Sequence, residues 1–334
     1  MIRSVHHHPR VCFALHYFGP DFDVDLCNAQ ADMVIVNPTF GASSYLAQLT
    51  CEKWAYCALN VTGPARDGGD ARYNWELYRL ACEHNCLLCD TSGEPVNAGS
   101  AEAPMHVIDP RRMDVWPDIA IACLQDYMAL APPGTWDGIF IDCGWRDCWP
   151  LNLTNLDQDT KDELNSCWPA FMREAGIKLA RKVKLPIIGN GNWQDFIGRH
   201  RMVGKMFENA PYKDQWWWSG LGPLRGEGFL VEGLRDWSYD KRMILMPRHM
   251  EFLQDALALA MLFDLWICPP CGSGAVCEVT ESKAWYATQP ARFDHSGAWE
   301  RALINHEQHE RGRVRATFQM DDLWIEAMPW AVTP

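Results

Sequence analysis

Two carboxylates stand at the ends of short apolar runs, a placement suited to acid–base chemistry on a polar substrate. The sharper run is Trp136-Asp137-Gly138-Ile139-Phe140-Ile141-Asp142-Cys143-Gly144-Trp145. An apolar stretch that stops at Asp and then Gly reads as a buried strand whose C-terminal tip presents a carboxylate at a barrel mouth. Strand alternation puts Phe140 and Asp142 on one face and Asp137 on the other. Asp142 is therefore the candidate for chemistry, or else a cap for the next element, and Asp137 is a structural residue near the strand's start. The second run, Val203-Gly204-Lys205-Met206-Phe207-Glu208-Asn209-Ala210-Pro211, ends in Glu208 shortly before a Pro that stops the ladder. Two carboxylates flanking one bond suit glycoside hydrolysis: one protonates the leaving oxygen while the other acts as nucleophile or activates water. Glu208 is read as the proton donor.

Other side chains at predicted strand tips would suit a hydroxyl-rich ligand. Asp21 and Asp23 follow the first run, Asn37 the second and Asn60 the third. Asn190 and Asn192 lie in Ile188-Gly189-Asn190-Gly191-Asn192-Trp193, where amides donate to and accept from hydroxyls and the glycines let backbone approach a ligand. The same segment also reads as an ordinary Gly/Asn turn. Of seventeen Trp, Trp145 and Trp193 come just past strand tips. Trp216, Trp217 and Trp218 follow Glu208, and such a run is costly to expose unless it packs or binds something. Trp145, Trp193 and Trp217 are the expected sugar platforms.

Several function classes are disfavoured. A formal net charge of -13 repels polyphosphate, so no nucleic-acid partner is expected. Nothing matches a phosphate-binding loop, a dinucleotide turn or a nucleophile elbow, and no cofactor is expected. The first ten residues lack the apolar run of a secretory signal, and no stretch reaches the roughly 18–20 apolar residues of a membrane span. The expectation is a soluble chain with no membrane partner. His6, His7 and His8 read as a solvated tail. Among fourteen Cys, Cys86 and Cys89 read as a buried strand. Cys268, Cys271 and Cys277 sit in a turn-rich stretch that is free, disulfide-bonded or folded on zinc; no catalytic metal is expected.

Apolar runs alternating with helical periodicity must position these residues, which is the pattern of βα units around a parallel sheet. Candidate strands are 11–17, 33–36, 54–59, 86–89, 138–141, 186–188, 205–207, 243–246 and 265–268. Nine exceed the eight of a closed barrel, so at least one is misassigned or accessory. Helical spacing links Ile119, Cys123, Tyr127 and Leu130, and again Phe252, Ala256, Leu259 and Phe263. Between residues 159 and 183, Thr160 and Glu163 resemble a capping box, and Pro169 predicts a kink or two segments. The expected architecture is an N-terminal tail (1–9), a (β/α)8 TIM barrel (10–271) and a small C-terminal β-hairpin region (272–334). In the last, 314–318 and 323–326 would be strands joined by a turn at Asp321 and Asp322.

The segments Asp-Gly-Ile-Phe-Ile-Asp (137–142), Ile-Gly-Asn-Gly-Asn-Trp (188–193) and Phe-Glu-Asn (207–209) resemble hypothetical glycosyl hydrolase family 15. More distantly, they are similar to endo-α-1,4-polygalactosaminidase-like barrels. The late stretches 297–305 and 312–316 resemble that family's closing strands, with residues 306–311 in place of its compact turn. The resemblance implies a TIM barrel with acidic residues at Asp142 and Glu208, and a carbohydrate ligand. Members also occur among bacteriophage proteins, which implies assembly with other virion proteins at a glycan-bearing surface. Two functions follow as alternatives: an O-glycosidase, or a non-catalytic glycan-binding or structural barrel.

Overall fold

The computed structural model describes residues 10–14, 24–63, 72–99, 104–208, 242–246, 266–268, 309–310, 313–316 and 325–327. Eight strands close into a barrel: β1 (Arg10–Ala14), β2 (Met33–Val36), β3 (Glu52–Cys57), β6 (Gly138–Gly144), β7 (Ile187–Gly191), β8 (Gly204–Glu208), β9 (Arg242–Met246) and β10 (Trp266–Ile267). Two short strands, β4 (Val61–Thr62) and β5 (His106–Val107), pair antiparallel outside it. The barrel order β1-β10-β9-β8-β7-β6-β3-β2 and the parallel ladders are those of a (β/α)8 fold. The described residues fall into two compact units, one made of 35–203 and the other of the segments before Ile35 and from Gly204 onward.

In the unit 35–203, β6 lies between β3 and β7, pairing Tyr56 with Phe140 and Phe140 with Ile188. Ile139, Phe140, Ile141, Ile187 and Ile188 are buried, the continuous apolar run of strands covered on both faces. Asp137 has the structural role expected of it: its carboxylate accepts from the amide of Lys53 at 2.8 Å, and its own amide donates to the Lys53 carbonyl at 2.9 Å. That exchange pins the register with β3 just ahead of β6.

The helices α3 (Arg72–Glu83), α4 (Trp116–Met128) and α5 (Gln158–Val183) follow two shorter ones, α1 (Val24–Gln30) and α2 (Ser44–Gln48), and precede α6 (Trp193–Ile197). In α3, Tyr73, Leu77 and Ala81 are buried at a four-residue spacing. In α4, Pro117 occupies the first turn, where no amide donor is needed. The expected partner Leu130 lies beyond the end of α4 and is exposed. Two expectations about α5 are corrected. Its N-cap is Asp157, whose carboxylate accepts from the Thr160 amide at 2.9 Å, so Thr160 lies inside the helix and is not its cap. Of the kink or two segments expected at Pro169, the second is also corrected: Gln158–Val183 is one helix. Trp168, Phe171 and Met172 on either side are fully buried, and packing on both flanks holds one helix where the local rule favours two.

Segment 86–89 is the accessory candidate among the nine. It forms only isolated antiparallel bridges, Leu87 with Ile108 and Cys89 with Pro95. Cys86 and Leu88 are buried while Cys89 is exposed: burial alternates, so only one face is covered. Four apolar residues in a row concealed that alternation.

In the other unit, β8 pairs with β9 over its whole length, Gly204 with Arg242 through Glu208 with Met246. Trp266 has Arg10 and Arg242 over its ring at 5.4 and 5.3 Å, a pair of cation–π contacts at the strands' N-terminal ends. A three-stranded antiparallel sheet near the C-terminus comprises β11 (His309–Glu310), β12 (Arg313–Ala316) and β13 (Ile325–Ala327). It supplies the expected β-rich extension. The helix expected near 252–263 and the turn at Asp321 and Asp322 lie outside the described residues.

Candidate active site

Asp142 sits at a defect in the β6–β7 ladder. Ile141 pairs with Gly189 and Gly144 with Gly191, so Asp142 and Cys143 together oppose the single residue Asn190. That is a β-bulge, a feature that re-aims a side chain where a strand ends. Cys143 takes φ 57°, the left-handed region that a residue with a Cβ rarely adopts.

The bulge turns the Asp142 carboxylate toward a set of donors. One oxygen, Oδ1, accepts from the Asn190 amide Nδ2 at 2.8 Å and from the Cys143 backbone N–H at 2.7 Å. The other, Oδ2, accepts from the Tyr56 hydroxyl at 3.2 Å. Asp142 is only 5% exposed, and donors of this kind replace the water that an ionised carboxylate loses on burial. The face shared by Phe140 and Asp142 also carries Tyr56, whose ring stacks on Phe140 with centroids 6.4 Å apart.

The backbone of the bulge is clamped by side chains from both neighbouring strand ends. The Trp193 indole N–H donates to the Asp142 carbonyl at 2.7 Å, and the Asn60 amide donates to the Cys143 carbonyl at 2.8 Å. The Asn192 amide N–H reaches the Gly144 carbonyl at 2.6 Å. Gly191 has φ 78°, and a Cβ there would lie 2.6 Å from the Gly144 carbonyl oxygen. The space its missing side chain leaves is thus filled by β6 itself. Gly191→Ala is expected to destabilise the fold by about 2–4 kcal/mol through combined backbone strain and overlap, read as a lower urea midpoint.

Beyond the bulge comes an aromatic cluster. Trp145 is half-buried and stacks on Trp168 with centroids 6.2 Å apart and planes 14° apart; Trp149 meets Trp145 edge-on at 5.4 Å. The Trp168 indole donates to the Trp145 carbonyl. Trp149 and Leu153 keep 37% and 66% of their surface exposed, so this loop presents an apolar face to solvent.

Of the residues singled out in the sequence, Asp142 and Asn190 are in direct contact, and Asn60, Asn192, Trp193 and Trp145 surround them through backbone bonds. Trp193 is fully buried and so presents no open ring face. Asn60 is fully buried and Asn37 nearly so; Asn37 accepts from the Thr39 amide at 3.0 Å and faces the Asn74 carboxamide at 3.4 Å. Both amides are turned to protein. Glu208 closes β8, but its side chain, like Asp21, Asp23, Trp217, Cys271 and Cys277, lies outside the described residues. Tyr56 and Trp149 were not singled out. Tyr56 was accessible to strand alternation, since it opposes Phe140 in β3. Trp149, seven residues past Asp142, had only its residue type to mark it.

Near the site, burial pushes the Cys57 thiol up to about 12, and the Asp142 carboxylate pushes it the same way. Cys57 is therefore a protonated core residue and not a nucleophile. Among the described residues no three His, Cys, Asp or Glu side chains converge as a metal site, and no helix is long and apolar enough to cross a membrane.

No protein-family model matches the chain, and no curated protein sequence does. The resemblance to hypothetical glycosyl hydrolase family 15 therefore rests on the quoted motifs. Among solved structures, the chain is similar to an α-galactosidase from Thermus thermophilus in complex with stachyose. That match has 14% identity, covers 85% of this chain and 66% of the other, and has a TM-score of 0.46. It is similar to a GH31 dextranase from Flavobacterium johnsoniae complexed with isomaltotriose, at 10% identity over 90% of this chain and 41% of the other, TM-score 0.42. A xylosidase from Aspergillus niger aligns at 8% identity over 93% and 51%, TM-score 0.44. The chain spans between about two fifths and two thirds of the length of these three enzymes.

Proposed function

We propose that this protein is a glycoside hydrolase that cleaves O-glycosidic bonds of a polysaccharide or cell-surface glycan with two carboxylates. Asp142 is the nucleophile or water-activating base and Glu208 is the acid. The observation that carries the reading is the Asp142 carboxylate, held by the Asn190 amide, the Cys143 N–H and the Tyr56 hydroxyl at a bulged barrel-strand end. Donors aimed at a carboxylate favour its charged form, the form a nucleophile or base needs. Glu208 ends the strand two places along the barrel order from that of Asp142, and enzymes of this fold build active sites from the C-terminal strand ends. The acidic net charge agrees with a neutral or cationic glycan. The exposed indole of Trp149 beside Trp145 supports sugar stacking on the loop after Asp142.

The test is a reducing-end release screen over bacterial surface polysaccharides, with Glu208→Gln run beside the wild type. The reading expects release by the wild type on at least one polysaccharide and a sharp loss in the variant. It fails if the wild type releases none while glycan binding persists in both Asp142→Asn and Glu208→Gln. That outcome describes a non-catalytic glycan-binding barrel.

A further inference from the structure

Asn60 was expected to meet substrate, but it is fully buried and its amide is spent on the backbone of the Asp142 bulge. We propose that Asn60 is a positioning residue: by holding the Cys143 carbonyl it locks the left-handed bulge that aims the Asp142 carboxylate. This rests on the reading of Asp142 as a working carboxylate and deepens it.

The geometry runs through three residues. Cys143 at φ 57° is disfavoured for any side chain with a Cβ, so something must hold it. Its carbonyl accepts from Trp145 N–H at 2.7 Å, a contact within the turn itself, and from Asn60 Nδ2 at 2.8 Å, a side-chain clamp from outside the turn. Its N–H, on the other side, is one of the donors to Asp142 Oδ1. That N–H lies in the peptide unit before Cys143 and the carbonyl held by Asn60 in the one after it, so Cys143 leaves the left-handed region only if one of the two planes turns, and the turn moves the backbone that carries the carboxylate and this donor. Trp193 holds the preceding carbonyl from the β7 side, so the bulge is fixed from both flanks.

The cost of using Asn here is visible. Its Oδ1 is buried and no donor among the described residues reaches it. A buried acceptor without a partner is destabilising, and a leucine of nearly the same size would avoid that cost. What the amide does here and leucine cannot do is donate to the Cys143 carbonyl. The backbone of Asn60 is itself anchored, its carbonyl accepting from Ile108 N–H at 2.9 Å.

Asn60→Leu keeps volume, removes the donor and removes the unpaired acceptor. In protein labelled with carbon-13 at aspartate Cγ, the Asp142 signal is assigned by its loss in Asp142→Asn and titrated by NMR. The expected result is a titration midpoint raised by at least about half a pH unit in Asn60→Leu, because donors to the charged form are lost, with a melting temperature near that of the wild type. On a polysaccharide found by the release screen, kcat falls about tenfold or more with KM within about twofold, the signature of misplacement. In a Cys143→Gly background, where the left-handed region carries no penalty, Asn60→Leu should cost only about two- to threefold. Asn60→Ala serves if the leucine does not fit.

An unchanged Asp142 midpoint with only a lowered melting temperature would overturn the proposal, as would equal effects with and without Cys143→Gly. The NMR arm needs no substrate. Failure of the glycosidase reading therefore shows as no release by the wild type, and failure of the positioning role shows as an unmoved titration.

Discussion

Asp142→Asn is expected to lower reducing-end release by about a thousandfold or more while leaving the fold intact. The size follows from the proposed role: a glycosidase without its nucleophile or base keeps binding and acid assistance but loses the group that attacks or activates water. The fold should survive because the change replaces one oxygen with an amide nitrogen. The new carboxamide oxygen can still accept from Asn190 Nδ2 and the Cys143 N–H, while its NH2 can donate to the Tyr56 hydroxyl. A melting temperature within a few degrees of wild type, alongside lost release, is the expected pair of readings. Activity within about tenfold of wild type would remove Asp142 from the chemistry.

Glu208→Gln is expected to produce a loss that depends on the leaving group. On a natural polysaccharide, where the departing hydroxyl must be protonated, loss of the general acid costs about 10²–10⁴-fold. On a nitrophenyl glycoside, whose phenolate leaves without a proton, the loss should shrink to about tenfold or less. Asp142→Asn should be impaired on both. This contrast assigns the two roles, and equal losses on both substrates for Glu208→Gln would contradict the acid assignment.

The two carboxylates were unequally legible in the sequence, for physical reasons. Asp142 ends a run in which Gly138, Ile139, Phe140 and Ile141 are buried, so apolar continuity and alternation located both the strand and its tip. The sequence carried no sign of the bulge. A left-handed Cys143 is the product of clamps from Trp193 and Asn60, residues 50 and 83 positions away that act only once β3, β6 and β7 lie side by side. The same long-range pairing makes Trp193 a buried donor instead of the ring platform its place after a strand tip suggested. Asn190 was marked by position alone, and its contact with Asp142 depends on the register of β6 with β7.

Errors in the elements share a cause. Segment 86–89 offers four apolar residues, so a ribbon covered on one face cannot be told from a strand covered on both. Pro169 predicts a kink or two segments, yet the helix is a single element, and the burial of Trp168 and Phe171 beside it outweighs one missing hydrogen bond. In each case packing contributed by distant residues decided against the local pattern.

The most direct measurement is the separation of the Asp142 and Glu208 carboxyl groups in a crystal structure of the protein with a bound oligosaccharide. The two-carboxylate account predicts that both groups face the same glycosidic oxygen. A separation of about 5–5.5 Å would mean cleavage with retention, and about 6.5–9.5 Å cleavage with inversion. Carboxyl groups well beyond about 10 Å apart, or turned to different surfaces, would contradict it.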